Sequence, residues 1–113
     1  MNHEDLKKQN IKELRELEKT LPSNEEFEDY SDKLKALSDP TRLKILYLLG
    51  TDLKCTCTIQ EVLDKPQSNK SHHLKILKNA GFIESEKDGV WVYHKLKDPK
   101  LIELLNQIIN IIK

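Results

Sequence analysis

The chain is poor in the residues that build most pockets, membrane anchors and disulfide frameworks. Aromatic residues make up 5% of its 113 positions, and there are two cysteines, one tryptophan and three glycines. With so few rings, the core of a single modest domain must come mainly from leucine and isoleucine. No run approaches the ~18 consecutive apolar residues of a membrane span. The start, Met1-Asn2-His3-Glu4-Asp5, is polar and leads into no apolar stretch of the secretory kind. A soluble, cytoplasmic protein with no membrane partner is the expectation. Gly-rich phosphate loops, acid-base constellations and a βαβ pattern around the cysteines are all missing. Catalysis, including that of a small thiol oxidoreductase, is therefore not expected.

Net charge is lacking as well, since 19 basic residues balance 19 acidic ones. The distribution is uneven, however. Residues 1–34 hold ten acidic and six basic side chains, a local balance of −4. Residues 65–83 hold Lys65, Lys70, Lys75 and Lys78 with no acid, and His72 and His73 besides. Counterion release on nucleic acid depends on the charge at the contact face, so the local excess outweighs the neutral total.

Taken in order, residues 4–20 carry Ile11, Leu14, Leu17 and Leu21 as a narrow apolar stripe on a charged helix. Pro22 ends that helix, and Ser23 with Glu26 forms a capping-box signal for the next, with Phe27, Tyr30, Leu34 and Leu37 in helical period. Asp39-Pro40 is a cap followed by a first-turn proline. The helix it opens is apolar on most sides (Leu43, Ile45, Leu46, Leu48, Leu49), hence central, and Gly50 closes it. Thr58 and Glu61 signal another capping box before Ile59, Val62 and Leu63.

A four-residue turn over 64–67 then leads into the stretch that organises the chain, residues 66–81. Its first half, Pro66-Gln67-Ser68-Asn69-Lys70-Ser71-His72, is short-chained, polar and basic; Leu74, Leu77 and Ala80 give the second half an apolar face, and Gly81 stops it. Small hydrogen-bonding side chains with lysines between them suit a helix that enters a major groove. Two helices so joined make a helix-turn-helix. Residues 82–86 and 90–96 read as strands around Lys87-Asp88-Gly89, a hairpin signal, and a hairpin placed there is a wing. The expected fold is mainly α with a small β-hairpin, a winged helix-turn-helix in the order α-α-α-α-α-β-β-α. Candidate DNA-binding residues are Gln67, Ser68, Asn69, Lys70, Ser71, His72, Lys75 and, on the wing, Lys87.

Asp98-Pro99 opens the last helix, whose Leu101, Ile102, Leu104, Leu105, Ile108, Ile109, Ile111 and Ile112 form a stripe too wide for one buried side. A homodimer is expected, with Ile11, Leu14, Leu101, Leu104, Leu105, Ile108 and Ile112 at its interface. Residues 1–22 are assigned to a dimer-associated amino-terminal extension and 23–113 to the winged domain with its dimerisation helix. A two-fold dimer would set two reading helices about one turn of DNA (~34 Å) apart.

These residues together resemble the ArsR/SmtB winged-helix repressors, most of which sense metals or metalloids. The resemblance covers about residues 30–112. It is carried by Leu37-Ser38-Asp39-Pro40-Thr41-Arg42-Leu43-Lys44-Ile45-Leu46, by Gln67-Ser68-x-x-Ser71-x-His73-Leu74-x-x-Leu77, by Ala80-Gly81-Phe82-Ile83 and by Gly89-Val90-Trp91-Val92-Tyr93. It implies a dimer that represses from an imperfect inverted repeat in double-stranded DNA and lets go when an inducer binds. Positions matching Gln67, Ser68, Ser71 and His72 face DNA in such proteins, while His73 reads as a packed structural histidine.

Thiol-sensing members carry Cys-x-Cys before the recognition helix, and Cys55-Thr56-Cys57 falls at the matching place. In an extended segment, side chains two apart point the same way, so both sulfurs could meet one soft ion. In a regular helix they would stand about 200° apart. Ion capture by both would then hold the first turn of the helix open and misplace the reading helix. The inducers this implies are As(III), Sb(III), Cd(II), Pb(II) or Zn(II). The pattern also departs from its relatives. Gln60 stands where arsenic sensors have a further cysteine, no cysteine lies in the amino-terminal extension, and residues 98–113 hold no histidine for a zinc or nickel site. A third ligand would come from His3, Glu4 or a thiolate in solution. Redox sensing by the pair, thiols with no sensing role, and a winged-helix module for protein or RNA are the alternatives. His94 reads as a surface or packing residue.

Overall fold

The computed structural model describes residues 2–63 and 67–113, the side chains of 67–71 excepted. The chain divides into two compact units, residues 1–30 and 31–113, the division falling within the second helix.

In the first unit, α1 (His3–Glu18) starts at Asn2, whose Oδ1 accepts the Asp5 N–H at 2.9 Å. Its Leu6, Ile11, Leu14 and Leu17 are all exposed. α2 (Asn24–Lys35) begins on the expected reciprocal capping box. Ser23 Oγ accepts the Glu26 N–H at 3.1 Å, and Glu26 Oε1 accepts the Ser23 N–H at 3.3 Å.

The second unit is built around α3 (Pro40–Leu48). Asp39 Oδ2 accepts the Arg42 N–H at 3.0 Å and Pro40 takes the first helical position, as the sequence predicts. Ile45 and Leu46 are fully buried. Against them pack Ile59 and Leu63 of α4 (Thr56–Leu63), Leu74 and Leu77 of α5 (Gln67–Ala80), and Leu105 of α6 (Lys100–Ile112). α5 ends in a Schellman motif. Gly81, at φ +91°, donates to the Lys78 carbonyl at 3.0 Å, and Phe82 donates to that of Leu77 at 3.1 Å. Asp98 Oδ1 accepts the Lys100 N–H at 2.9 Å to open α6. Of the turn expected over 64–67, residues 64–66 lie outside the described residues.

The structure differs from the expected pattern in three respects. A two-residue strand, β1 (Lys54–Cys55), adds to the edge of β3 (Trp91–Leu96), which pairs in turn with β2 (Ile83–Asp88), all antiparallel. The hairpin turn is Gly89-Val90, one residue later than the Asp-Gly reading, because Asp88 pairs with Trp91 and Gly89 takes φ +62°. Lys87 therefore sits in the ladder opposite Val92 and not in the turn, while Val90 leaves the strand for the tip. Finally, α4 starts at Thr56, ahead of the Thr58/Glu61 signal, because Cys55 caps it: the Cys57 N–H donates to Cys55 Sγ at 3.2 Å.

Candidate nucleic-acid interface and thiol site

α5 follows α4 in the position of a recognition helix. Burial of Leu74 and Leu77 fixes which way it is rolled, and leaves His72, Lys75 and Lys78 exposed. Gln67, Ser68, Asn69, Lys70 and Ser71 occupy its first turns, and their side chains lie outside the described residues. Lys87 is exposed on β2, beside the wing tip.

His73 takes the structural role the sequence suggested. Arg42 donates through one terminal nitrogen to His73 Nδ1 at 3.1 Å, and through Nε to the Ala36 carbonyl at 2.7 Å. Its other terminal nitrogen reaches the Lys35 carbonyl at 3.4 Å. Arg42 thus ties the end of α2 and the start of α3 to the middle of α5. The cap bond from the Arg42 N–H, with the nearby guanidinium and imidazole, holds the Asp39 carboxyl below its usual range, against a smaller opposing effect of burial. Arg42 was visible only as part of a motif; its role needs the α3–α5 packing to appear.

At the other end of α4, Cys55 closes β1 opposite Tyr93, and Cys57 lies in the first helical turn. Their Cα atoms are 5.2 Å apart and the sulfurs are joined as a disulfide. The extended segment expected to align both sulfurs is thus only half present. They nevertheless meet with the first turn of α4 formed. Beside them lies a cavity of about 290 Å³ lined by Cys55, Thr56, Cys57, Gln60, Val90, Trp91 and Val92.

The family model for bacterial regulatory proteins of the arsR family matches residues 39–85, from the Asp39 cap through α5 into β2. An uncharacterised HTH-type transcriptional regulator of Methanocaldococcus jannaschii is 40% identical over 85 residues, covering 74% of this chain and 96% of the relative. The arsenical resistance operon repressor of Bacillus subtilis is 42% identical over 79 residues, covering 69% of this chain and 75% of the relative. This chain belongs to the ArsR family. Its fold agrees, since a homodimeric winged helix-turn-helix DNA-binding domain from Mycobacterium bovis superposes with a TM-score of 0.67. That superposition covers 80% of this chain and 87% of the other at 21% identity.

As an ArsR-family member the chain is a winged helix-turn-helix, DNA-binding transcriptional regulator. When reduced, Cys55 and Cys57 offer two soft donors at one place, which suits a thiophilic ion. Among the described residues no group of three or more His, Cys, Asp or Glu is placed to hold a metal.

The sequence reading missed a cluster of polar side chains next to this ArsR thiol pair. His94, expected at the surface or in packing, is buried at 6% exposure. Its Nε2 lies 2.7 Å from Thr56 Oγ1 and its Nδ1 2.8 Å from Ser85 Oγ. Burial, aided by the positive charge of Lys78, pushes the His94 pKa down. The period of two along β3 was the available signal, since it puts His94 on the same face as buried Leu96.

Proposed function

We propose that this ArsR-family regulator is a homodimeric repressor that binds an inverted-repeat operator through α5 and is released when a soft metal or metalloid engages Cys55 and Cys57. The convergence of the two sulfurs at the amino terminus of α4, the helix that leads into α5, carries this reading. A helix amino terminus also favours the thiolate form that binds such ions. Likeness to an arsenical resistance operon repressor and to cadmium resistance regulators supports As(III) or Cd(II) among the candidates As(III), Sb(III), Cd(II), Pb(II) and Zn(II). The inducer chemistry follows from the donor set: a trihydroxy arsenic or antimony species exchanges two hydroxides for two thiolates and retains its third ligand.

The dimer is proposed from α6. Leu105 belongs to the chain's own core and Leu101 packs against it, which narrows the expected interface to the face left outside. On that face Leu104 and Ile108 are each 54% exposed and Ile112 is 74% exposed, which a second copy would cover. Ile11 and Leu14 of α1 are further candidates for the same interface. The cytoplasm, where DNA and reduced thiols coexist, is the proposed compartment.

Fluorescence anisotropy of a labelled duplex from the upstream region tests the whole reading. Fully reduced protein should bind, and one of arsenite, antimonite, cadmium, lead or zinc should release it. The Cys55→Ser/Cys57→Ser protein should bind and stay bound. Release that follows only an oxidant would move the assignment to the second reading, a thiol redox sensor, which the disulfide between the pair favours.

A further inference from the structure

The geometry points to Thr56 and His94 as the positioning residues that carry the state of the Cys55/Cys57 pair to the wing. This rests on the reading of the pair as the sensor. Thr56 is the single residue between the two cysteines, so linking or releasing their sulfurs acts first on its backbone angles. Its side chain is not free to follow solvent. Thr56 Oγ1 donates to the Val92 carbonyl at 3.2 Å and lies 2.7 Å from His94 Nε2.

One assignment of protons satisfies the whole chain. A threonine hydroxyl has one proton, and the Val92 carbonyl, an acceptor only, takes it. With that bond made, His94 Nε2 is the protonated nitrogen and donates to Thr56 Oγ1. Nδ1 is left as acceptor, and Ser85 Oγ–H donates to it at 2.8 Å. The run Ser85 to His94 to Thr56 to Val92 thus satisfies every member with a neutral imidazole. Burial favours that neutral form, and the positive charge of Lys78 on α5 favours it further. Ser85 lies on β2 and His94 on β3, opposite each other in the hairpin. The chain therefore joins the residue between the two thiols to both strands of the wing. A shift of Thr56 that breaks its bond to Nε2 frees the imidazole, loosens Ser85, and changes how the wing is held relative to α4.

A second route exists through the backbone, because Cys55 pairs directly with Tyr93 in the β1–β3 ladder. The side-chain route and the ladder route make opposite predictions for Thr56→Val, which keeps the shape of the residue and removes its hydroxyl.

The test compares the full-length chain with its thiols reduced and with its sulfurs linked. Linking is done in one arm by arsenite, which exchanges two hydroxides for the two sulfurs, the two thiol protons leaving with those hydroxides as two waters. In the other arm diamide accepts the two electrons and two protons lost as the disulfide forms. Nitrogen-15 spectra follow the His94 imidazole and the Ser85 amide, and operator anisotropy is read alongside. In the native chain His94 should be the Nε2–H tautomer in the linked form, and both signals should move between reduced and linked forms. In Thr56→Val the cysteine signals should still respond while those of His94 and Ser85 stay still. If native operator affinity changes by the 5–150-fold usual for coupled sites, Thr56→Val should reduce that change to below about twofold while binding DNA normally when reduced. Ser85→Ala, a milder change, should leave the His94 response and abolish that of β2.

Native His94 and Ser85 signals that ignore the thiol state would overturn the proposal. So would a Thr56→Val chain that transmits as well as the native one, which would assign the coupling to the ladder. Movement of the wing signals without operator release would instead contradict the sensor reading and leave the side-chain route standing.

Discussion

Replacing Arg42 by lysine tests how the recognition helix is held. In the native chain its guanidinium reaches three acceptors at once: the Ala36 carbonyl at 2.7 Å, His73 Nδ1 at 3.1 Å and the Lys35 carbonyl at 3.4 Å. The last bond is exposed and long, and is assigned no weight. The two shorter ones are part-buried and charge-assisted, the kind that contributes about 1.5–3 kcal/mol each. Lysine keeps the charge but has no planar fork, so it serves one of the two acceptors and leaves the other without its donor. The net loss is about 2 kcal/mol, which lowers the melting temperature of a domain this size by about 8–16 °C. Thermal unfolding by circular dichroism reads it directly. Because His73 lies on α5, operator affinity should fall even at temperatures where Arg42→Lys is folded. A variant that melts within about 3 °C of the native chain, as an ordinary surface substitution does, would refute the claim that Arg42 holds α5.

Four further outcomes follow from the structure. His94 is held below its ordinary value of about 6.5 in the fold, so the unfolded chain binds a proton that the folded chain refuses. Stability should therefore fall as pH drops through that value, and His94→Gln should flatten the slope of melting temperature against pH; an unchanged slope would contradict it. Leu77→Ala empties a fully buried position and should cost about 3–5 kcal/mol, seen as a lower urea midpoint at unchanged m-value. Leu104→Glu with Ile108→Glu should give a monomer by light scattering, with persistence of the dimer placing its interface elsewhere. Trp91, the sole tryptophan, lines the cavity beside the cysteines, so its emission should change when the pair is reduced and should not respond to reductant in Cys55→Ser.

Local signals read well from the sequence wherever a short segment decides its own conformation. The Ser23/Glu26 box, the Asp39-Pro40 start and the Gly81 stop each rest on residues within five positions of one another, and each is found as expected. What failed to show was set by distant partners. β1 is two residues long and is a strand only because Tyr93 and His94 lie opposite it. The hairpin turn moved to Gly89-Val90 because the ladder register, and not the Asp-Gly signal, placed the pair Asp88 and Trp91. α4 began early because a cysteine, an uncommon cap, supplied the acceptor. The thiol pair was legible as a motif, but the Thr56–His94–Ser85 chain beside it joins residues 38 and 9 positions apart.

The measurement that tests the account most directly is footprinting of the reduced protein on its own upstream DNA, with native and Ser68→Ala/Ser71→Ala chains side by side. The account predicts two protected half-sites related by a two-fold axis, with centres about one helical turn (~34 Å) apart, lost in the double variant. Protection that ignores the variant would remove α5 from the interface, and no protection on any upstream duplex would contradict the repressor reading itself.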